Sequence, residues 1–239
     1  MRTVLIIFKW MLAIVSLVAL LIFTNYRQAV QKISLNKIQI QESTDNFVNT
    51  QTVLNYLKDK SLRFDSMLIT DFNKERLENI LESHPAIKEA EVFTTQKGRI
   101  NIFIKQKQAI VRIKSNTQDY FLDEYGEKMQ LSYNYIPKLV VATGDVSAKN
   151  HFAIYDFIQK INKSEFWHSQ ITQIHFETDK ILLIPRVGNQ KINIGSFDNI
   201  VEKLDNLYQF YKVVMPVKGW QAYSDINLNF KNQIVCVRK

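Results

Sequence analysis

The residue types capable of chemistry in this 239-residue chain are four histidines, one cysteine and a short run of carboxylates. His84, His151, His168 and His175 are scattered along it. The nearest pair, His168 and His175, is separated by a loop and a strand. It lacks the i, i+4 helical step that turns two imidazoles onto one zinc ion. No Cys/His cluster accompanies them, so neither a metal site nor a cofactor is expected. Cys236 is the single cysteine, which excludes an intrachain disulfide. It sits mid-strand with no base beside it in sequence, the setting of a small buried hydrophobe and not of an activated thiolate. The run "LDEYGE" places Asp123, Glu124 and Glu127 around Gly126. Its oxygens could face a calcium ion, but it lacks the ligand density of an EF-hand loop and reads as a polar hairpin turn. The nucleophile motifs G-x-S-x-G and S-x-x-K and the Walker glycine loop are missing. No catalytic residue is assigned, and the chain reads as a non-enzyme.

The elements behind these residues are those of a globular protein with a membrane segment. The chain is 46% hydrophobic and 23% charged, with six Gly and four Pro, which excludes low-complexity readings. Its net charge of +8 is spread among 23 acids, so it describes a solvated surface and no nucleic-acid patch. "VLIIFKWMLAIVSLVALLIF", Val4 to Phe23, is broken only by Lys9 and Ser16. A helix of that length spans a hydrocarbon core of roughly 30 Å. The following "ALLIFTNYRQ" lacks the small-x-small pattern of a cleaved signal, so the segment reads as a retained anchor. Arg2, Lys9 and the terminal amine favour a cytoplasmic N-terminus, with Arg27 and Lys32 on the other side. The bulk of the chain is then exported.

Beyond the anchor, Ile33 to Ile40 alternates as a strand. Thr50 can cap a helix with Val53, Leu54 and Leu57 in one stripe. "SLRFDSMLIT" connects it to a second helix capped by Thr70 or Asp71, with Phe72, Leu77, Ile80 and Leu81 apolar. Pro85 stops that helix. A hairpin follows, from Ala90 and Val92 through a "QKG" turn to Ile100, Ile102 and Ile104. This strand-helix-helix-strand-strand unit ends near residue 107.

The second half has short strands in "AIVRIKS", "DYFLDEYGEKM" and "KLVVATG". A helix over 150–162 has Phe152, Tyr155 and Ile158 at helical spacing. Three strands of a meander follow ("ITQIHFE", "KILLIPRV", "QKINIG"). A helix capped by Ser196 turns Ile200, Leu204, Leu207 and Tyr211 inward, and a hairpin closes the chain. In the last strand Ile234, Cys236 and Arg238 point one way, Val235 and Val237 the other. These residues fit either an ordinary core strand or an open sheet edge that another chain pairs with.

Three stretches together resemble the FtsQ/DivIB family of bitopic bacterial division proteins: "HPAIKEAEVF" (84–93), "YFLDEYGEKM" (120–129) and "GWQAYSDINLNFKNQIVC" (219–236). The last is similar to the carboxy-terminal signature of Bacteroidetes-like members. The family usually has a proline after a basic residue behind the first sheet, where this chain has Ala109 after Lys107. The resemblance implies an α+β chain. Residues 1–3 form a short cytoplasmic tail, 4–23 a transmembrane helix and 24–32 a linker. Residues 33–107 form a POTRA-like βααββ domain and 108–239 a β-rich domain, an extended sheet with covering helices. It further implies a non-catalytic divisome scaffold in the cell inner membrane, with its bulk in the periplasm at the division site. FtsB-like and FtsL-like bitopic proteins are the implied partners, along with an indirect link to the septal peptidoglycan synthase complex and weak self-association. The FtsB-like strand is expected on Phe230, Asn232, Ile234, Cys236 and Arg238. A single-pass envelope protein whose β module carries lipid or lipopolysaccharide is the second reading.

Overall fold

The computed structural model describes residues 2–43, 45–62, 64, 67–132 and 135–239. Met1 of the expected tail, and Arg63, Asp65 and Ser66 of the expected connection, lie outside the described residues. So do the side chains of Val4, Leu5 and Ile7 in the expected anchor and of Arg2 before it. The chain forms two compact units, Met1–Gln106 and Lys107–Lys239.

Helix α1 (Arg2–Ala29) carries the apolar run. Its stretch Phe8–Arg27 has a mean hydropathy of 1.9, long and apolar enough to cross a membrane. In the same unit, β1 (Ser34–Ile40) precedes α2 (Thr50–Asp59), a 3-10 turn (Ile69–Asp71), α3 (Lys74–Glu82), β2 (Ile87–Thr94) and β3 (Arg99–Gln106). The sheet order is β1-β3-β2, with β1 parallel and β2 antiparallel to β3. Both helices bury an apolar stripe, Val53 and Leu57 from α2 and Leu77 and Leu81 from α3. Val92, Ile100, Ile102 and Ile104 of the sheet are buried as well. The caps are asparagines one and two or more residues away from the expected ones. The Asn49 side chain accepts from the Thr52 amide, and that of Asn73 from the Arg76 amide. A short amide side chain satisfies a first-turn N–H as well as threonine or aspartate does. Phe72 consequently lies before α3 and not on its stripe.

The second unit is built on one nine-stranded sheet. Its strands are β4 (Ala109–Ser115), β5 (Asp119–Asp123), β6 (Lys128–Met129), β7 (Val140–Gly144), β8 (Ile171–Phe176), β9 (Ile181–Pro185), β10 (Lys191–Gly195), β11 (Tyr223–Asn227) and β12 (Val235–Arg238). Helices α4 (His151–Asn162) and α5 (Glu165–Gln170) lie between β7 and β8. Helices α6 (Ile200–Val213) and α7 (Met215–Lys218) lie between β10 and β11. The strand order is β12-β11-β10-β9-β8-β7-β4-β5-β6. β7 and β8 are parallel, as are β10 and β11. Parallel neighbours cannot be joined by a tight turn and need a crossover, so both helical insertions fall there. Their apolar residues share one core with one sheet face: Ile154, Phe157 and Ile161 of α4 and Leu204, Leu207 and Tyr211 of α6 pack with Ile113, Ile174, Leu183 and Ile192.

The buried stripe of α4 is Ile154, Phe157, Ile158 and Ile161, and not the expected set, since Phe152 is 80% exposed. Positions 152 and 158 are six residues apart, about 240° around a helix, whereas i, i+3, i+4 and i+7 share a face. The N-cap of α6 is Asn199, with φ 52°, rather than Ser196. Ser196 instead donates to Asp198 at 2.7 Å.

Candidate functional site

The acidic run forms a structural turn. The carboxylate of Asp123 is fully buried and accepts from the amides of Tyr125 at 3.0 Å and Glu127 at 2.9 Å. Its Oδ2 takes the Lys107 ammonium at 2.8 Å. Glu124 accepts from the Gln108 amide at 2.7 Å. Gly126 has φ +78°, and a Cβ there would press on the Tyr155 ring at 3.2 Å; only glycine suits both the backbone and the space. Burial disfavours the Lys107 charge, but the hydrogen bond and Coulombic pull of Asp123, with Glu127 and Glu124 adding, outweigh it. They hold its pKa above the ordinary lysine range.

The histidines are equally committed to local structure. His84 Nδ1 accepts from the Ala86 amide at 3.2 Å, and His151 Nε2 meets the Tyr120 hydroxyl at 2.6 Å. Burial lowers the pKa of both, assisted at His151 by Lys128. His175 bonds Thr143 at 2.8 Å on the helix-free face of the sheet. That face is mixed: Gln173 reaches Thr143 at 2.8 Å and Arg112 grips Asp119 at 2.8 and 2.6 Å, while buried Phe121 stands opposite Arg112 and buried Leu182 opposite His175.

The remaining surface of interest is the end of the sheet. β12 pairs antiparallel with β11 and occupies the terminal position in the strand order. Local contacts fix which way its backbone groups point. The Leu228 amide donates to Asn193 O on β10 at 2.9 Å. Alternation along β11 therefore turns the backbone groups of Asn227 and Asp225 towards β12, where they face Val235 and Val237. The Lys239 amide, donating inward to Ala222 O at 3.3 Å, has the same parity. The backbone groups of Cys236 and Arg238, and of Ile234 just before the strand, then point to the open edge.

Side chains divide by face. Ile234 and Cys236 are half-buried against the helix-covered core. Val235 and Val237 are exposed on the other face, at 43% and 55%. Burial raises the Cys236 thiol pKa. Of the five positions singled out by the sequence, Ile234, Cys236 and Arg238 share this alternation. Phe230 and Asn232 lie outside it, in the turn between β11 and β12. Asn232 has φ 59°, the left-handed geometry that asparagine tolerates in turns. The turn interrupts the two-residue repeat that sequence spacing alone extends through 230–238.

The aromatic residues of the same stretch, not singled out in the sequence, anchor the edge. Trp220 packs on Tyr211 at 5.0 Å between ring centroids, and Tyr223 on Phe210 at 5.7 Å. The Tyr211 hydroxyl receives Gln190 Nε2 at 3.3 Å, and burial pushes its pKa to about 12. Lys203 of α6 donates to Ile194 O at 2.7 Å and Ser196 O at 3.0 Å, tying the helix to the end of β10. The spacing of Tyr211 and Trp220 across α7 gives no sequence signal of this contact, because α7 brings them together.

An apolar helix, a βααββ unit and a mixed sheet with helices on one face define an α+β protein of POTRA-plus-β-sheet construction. Residues 33–105 match the POTRA-like domain family, and residues 108–237 match the family described as FtsQ/DivIB, C-terminal related. The chain belongs to the FtsQ/DivIB family of cell division proteins, and its apolar helix fits a single-pass membrane protein. No curated protein matches it. Among solved structures it is similar to the major extracytoplasmic domain of the trans isomer of the cell division protein DivIB from Geobacillus stearothermophilus. That similarity has a TM-score of 0.34 and 11% identity, covering 46% of this chain and 96% of that one.

Proposed function

We propose that this protein is a non-catalytic scaffold of the bacterial divisome, anchored in the inner membrane by α1 with both folded units in the periplasm at the division site. An FtsB-like strand, from a protein paired with an FtsL-like one, adds to β12. Through that pair the scaffold is linked indirectly to the septal peptidoglycan synthase complex. The observation that supports this reading is the parity of β12. The backbone donors and acceptors at 234, 236 and 238 face outward while the strand's other side is already paired, which is the arrangement strand addition uses. Carriage of lipid or lipopolysaccharide is less well supported, because the sheet face that shares the main apolar core is already covered by α4 and α6.

Proline substitution separates partner binding from folding. Ile234→Pro removes an outward N–H, so the hydrogen bonds to β11 survive and the sheet stays folded. Val235→Pro removes an inward one and should loosen β12. Co-purification from membranes with a photocrosslinker at Val237 should capture a small bitopic coiled-coil protein from the unsubstituted chain and lose it from Ile234→Pro. Undiminished capture by a folded Ile234→Pro chain would sink strand addition, and recovery of lipid alone would favour the carrier.

A further inference from the structure

The first unit has an edge strand of its own, and two side chains occupy it. β2 is paired with β3 on one side only. On its other side the Val92 amide donates to Glu78 Oε1 at 2.8 Å and the Ala90 amide to Glu82 Oε1 at 3.2 Å. The match is geometric. Glu78 and Glu82 are one helical step apart, about 6 Å along α3. Alternate residues of a strand are about 6.7 Å apart. The helix and strand run in opposite directions, so the earlier glutamate meets the later amide. Lys74 holds Glu78 from the preceding turn at 3.4 Å.

We infer that Glu78 and Glu82 plug the β2 edge and keep it closed to a second copy of the same strand. An open edge templates pairing with another chain, and β2 suits its own image. In an antiparallel pair centred on Val92, Ala90 faces Thr94 and Glu91 faces Phe93, so no like charges stand directly opposite. The amides such a pair would use, at 90 and 92, are those the carboxylates hold. Strand addition to this protein is thereby directed away from β2 and left to edges without such a plug.

The test uses the full chain in detergent micelles, with amide exchange read residue by residue. Glu78→Ala should accelerate exchange at Val92 alone and Glu82→Ala at Ala90 alone, each by about tenfold or more, as for loss of a hydrogen bond to a charged acceptor. Gln at either position keeps an oxygen acceptor and should retain most of the protection. The Glu78→Ala/Glu82→Ala chain should sediment as a concentration-dependent dimer, and adding Thr94→Pro, which deletes another outward amide, should return it to monomer. Slow exchange of Ile102 and Ile104 in β3 certifies folding, and if the double variant unfolds, the single variants carry the test. Unchanged exchange in folded alanine variants would overturn the plug. A folded double variant with freed amides that stays monomeric would overturn its role against self-pairing.

Discussion

Replacing Lys107 by methionine is expected to destabilise the C-terminal unit, and the magnitude follows from the charge left behind. The Asp123 side chain is 0% exposed and that of Lys107 20%, with 2.8 Å between Oδ2 and Nζ. Methionine reproduces the apolar stem and removes the ammonium. A buried carboxylate deprived of its counter-charge costs about 3–5 kcal/mol. The amides of Tyr125 and Glu127 still solvate Asp123, which places the loss near the lower end, about 3 kcal/mol. For a domain of this size each kcal/mol moves Tm by roughly 3–5 °C, so Tm should fall by roughly 10–15 °C. Tryptophan fluorescence is the assay, because outside α1 the only tryptophans are Trp167 and Trp220, both in this unit. Adding Asp123→Asn keeps Oδ1 for the two turn amides and removes the stranded charge, so the double variant should regain more than half of the loss. A Lys107→Met chain melting within about 2 °C of the unsubstituted one, or a double variant no better than the single, would refute the reasoning.

Two further outcomes test other parts of the structure. His84 is held neutral by burial, with a folded pKa below its unfolded value of about 6.5. Its contribution is therefore present above about pH 6.5 and lost as pH falls through the lower folded pKa. The protection factor of the Ala86 amide should drop across that window and stay level in His84→Asn; a protection factor equal at about pH 5 and about pH 7.5 would contradict this. At the sheet edge, maleimide should modify a Val237→Cys/Cys236→Ser chain at least about tenfold faster than Cys236 of the unsubstituted chain. Cys236 is half-buried with a raised pKa, whereas Val237 faces solvent; equal rates would reverse the assignment of the two faces.

Much of the architecture was legible because burial imposes a period. The stripe Ile200, Leu204, Leu207, Tyr211 in α6 and the alternation of β3 are direct readings of one buried face. Caps were less legible, because Asn49, Thr50, Thr70, Asp71 and Asn73 are all chemically able to take a first-turn amide and only the chain's path selects among them. The inward face of α4 is ambiguous in the sequence for a related reason: Phe152 is apolar, but the sheet lies on the side of Ile154 and Phe157. The short helix α5 carries no sequence signal, because "EFWHSQ" is too brief to show a helical period.

The sequence by itself determined the apolar N-terminal helix, the βααββ order and the absence of a recognisable nucleophile motif, since each follows from local composition and spacing. Only the tertiary structure decided the strand order, because pairing joins residues far apart in the chain. That order puts β12 at the edge and turns the backbone of Ile234, Cys236 and Arg238 outward. It also sets Phe230 and Asn232 apart in a turn, and brings Glu78 and Glu82 onto the amides of Val92 and Ala90. Which hydrogen-bonding groups remain for a partner depends on neighbours that no local stretch encodes.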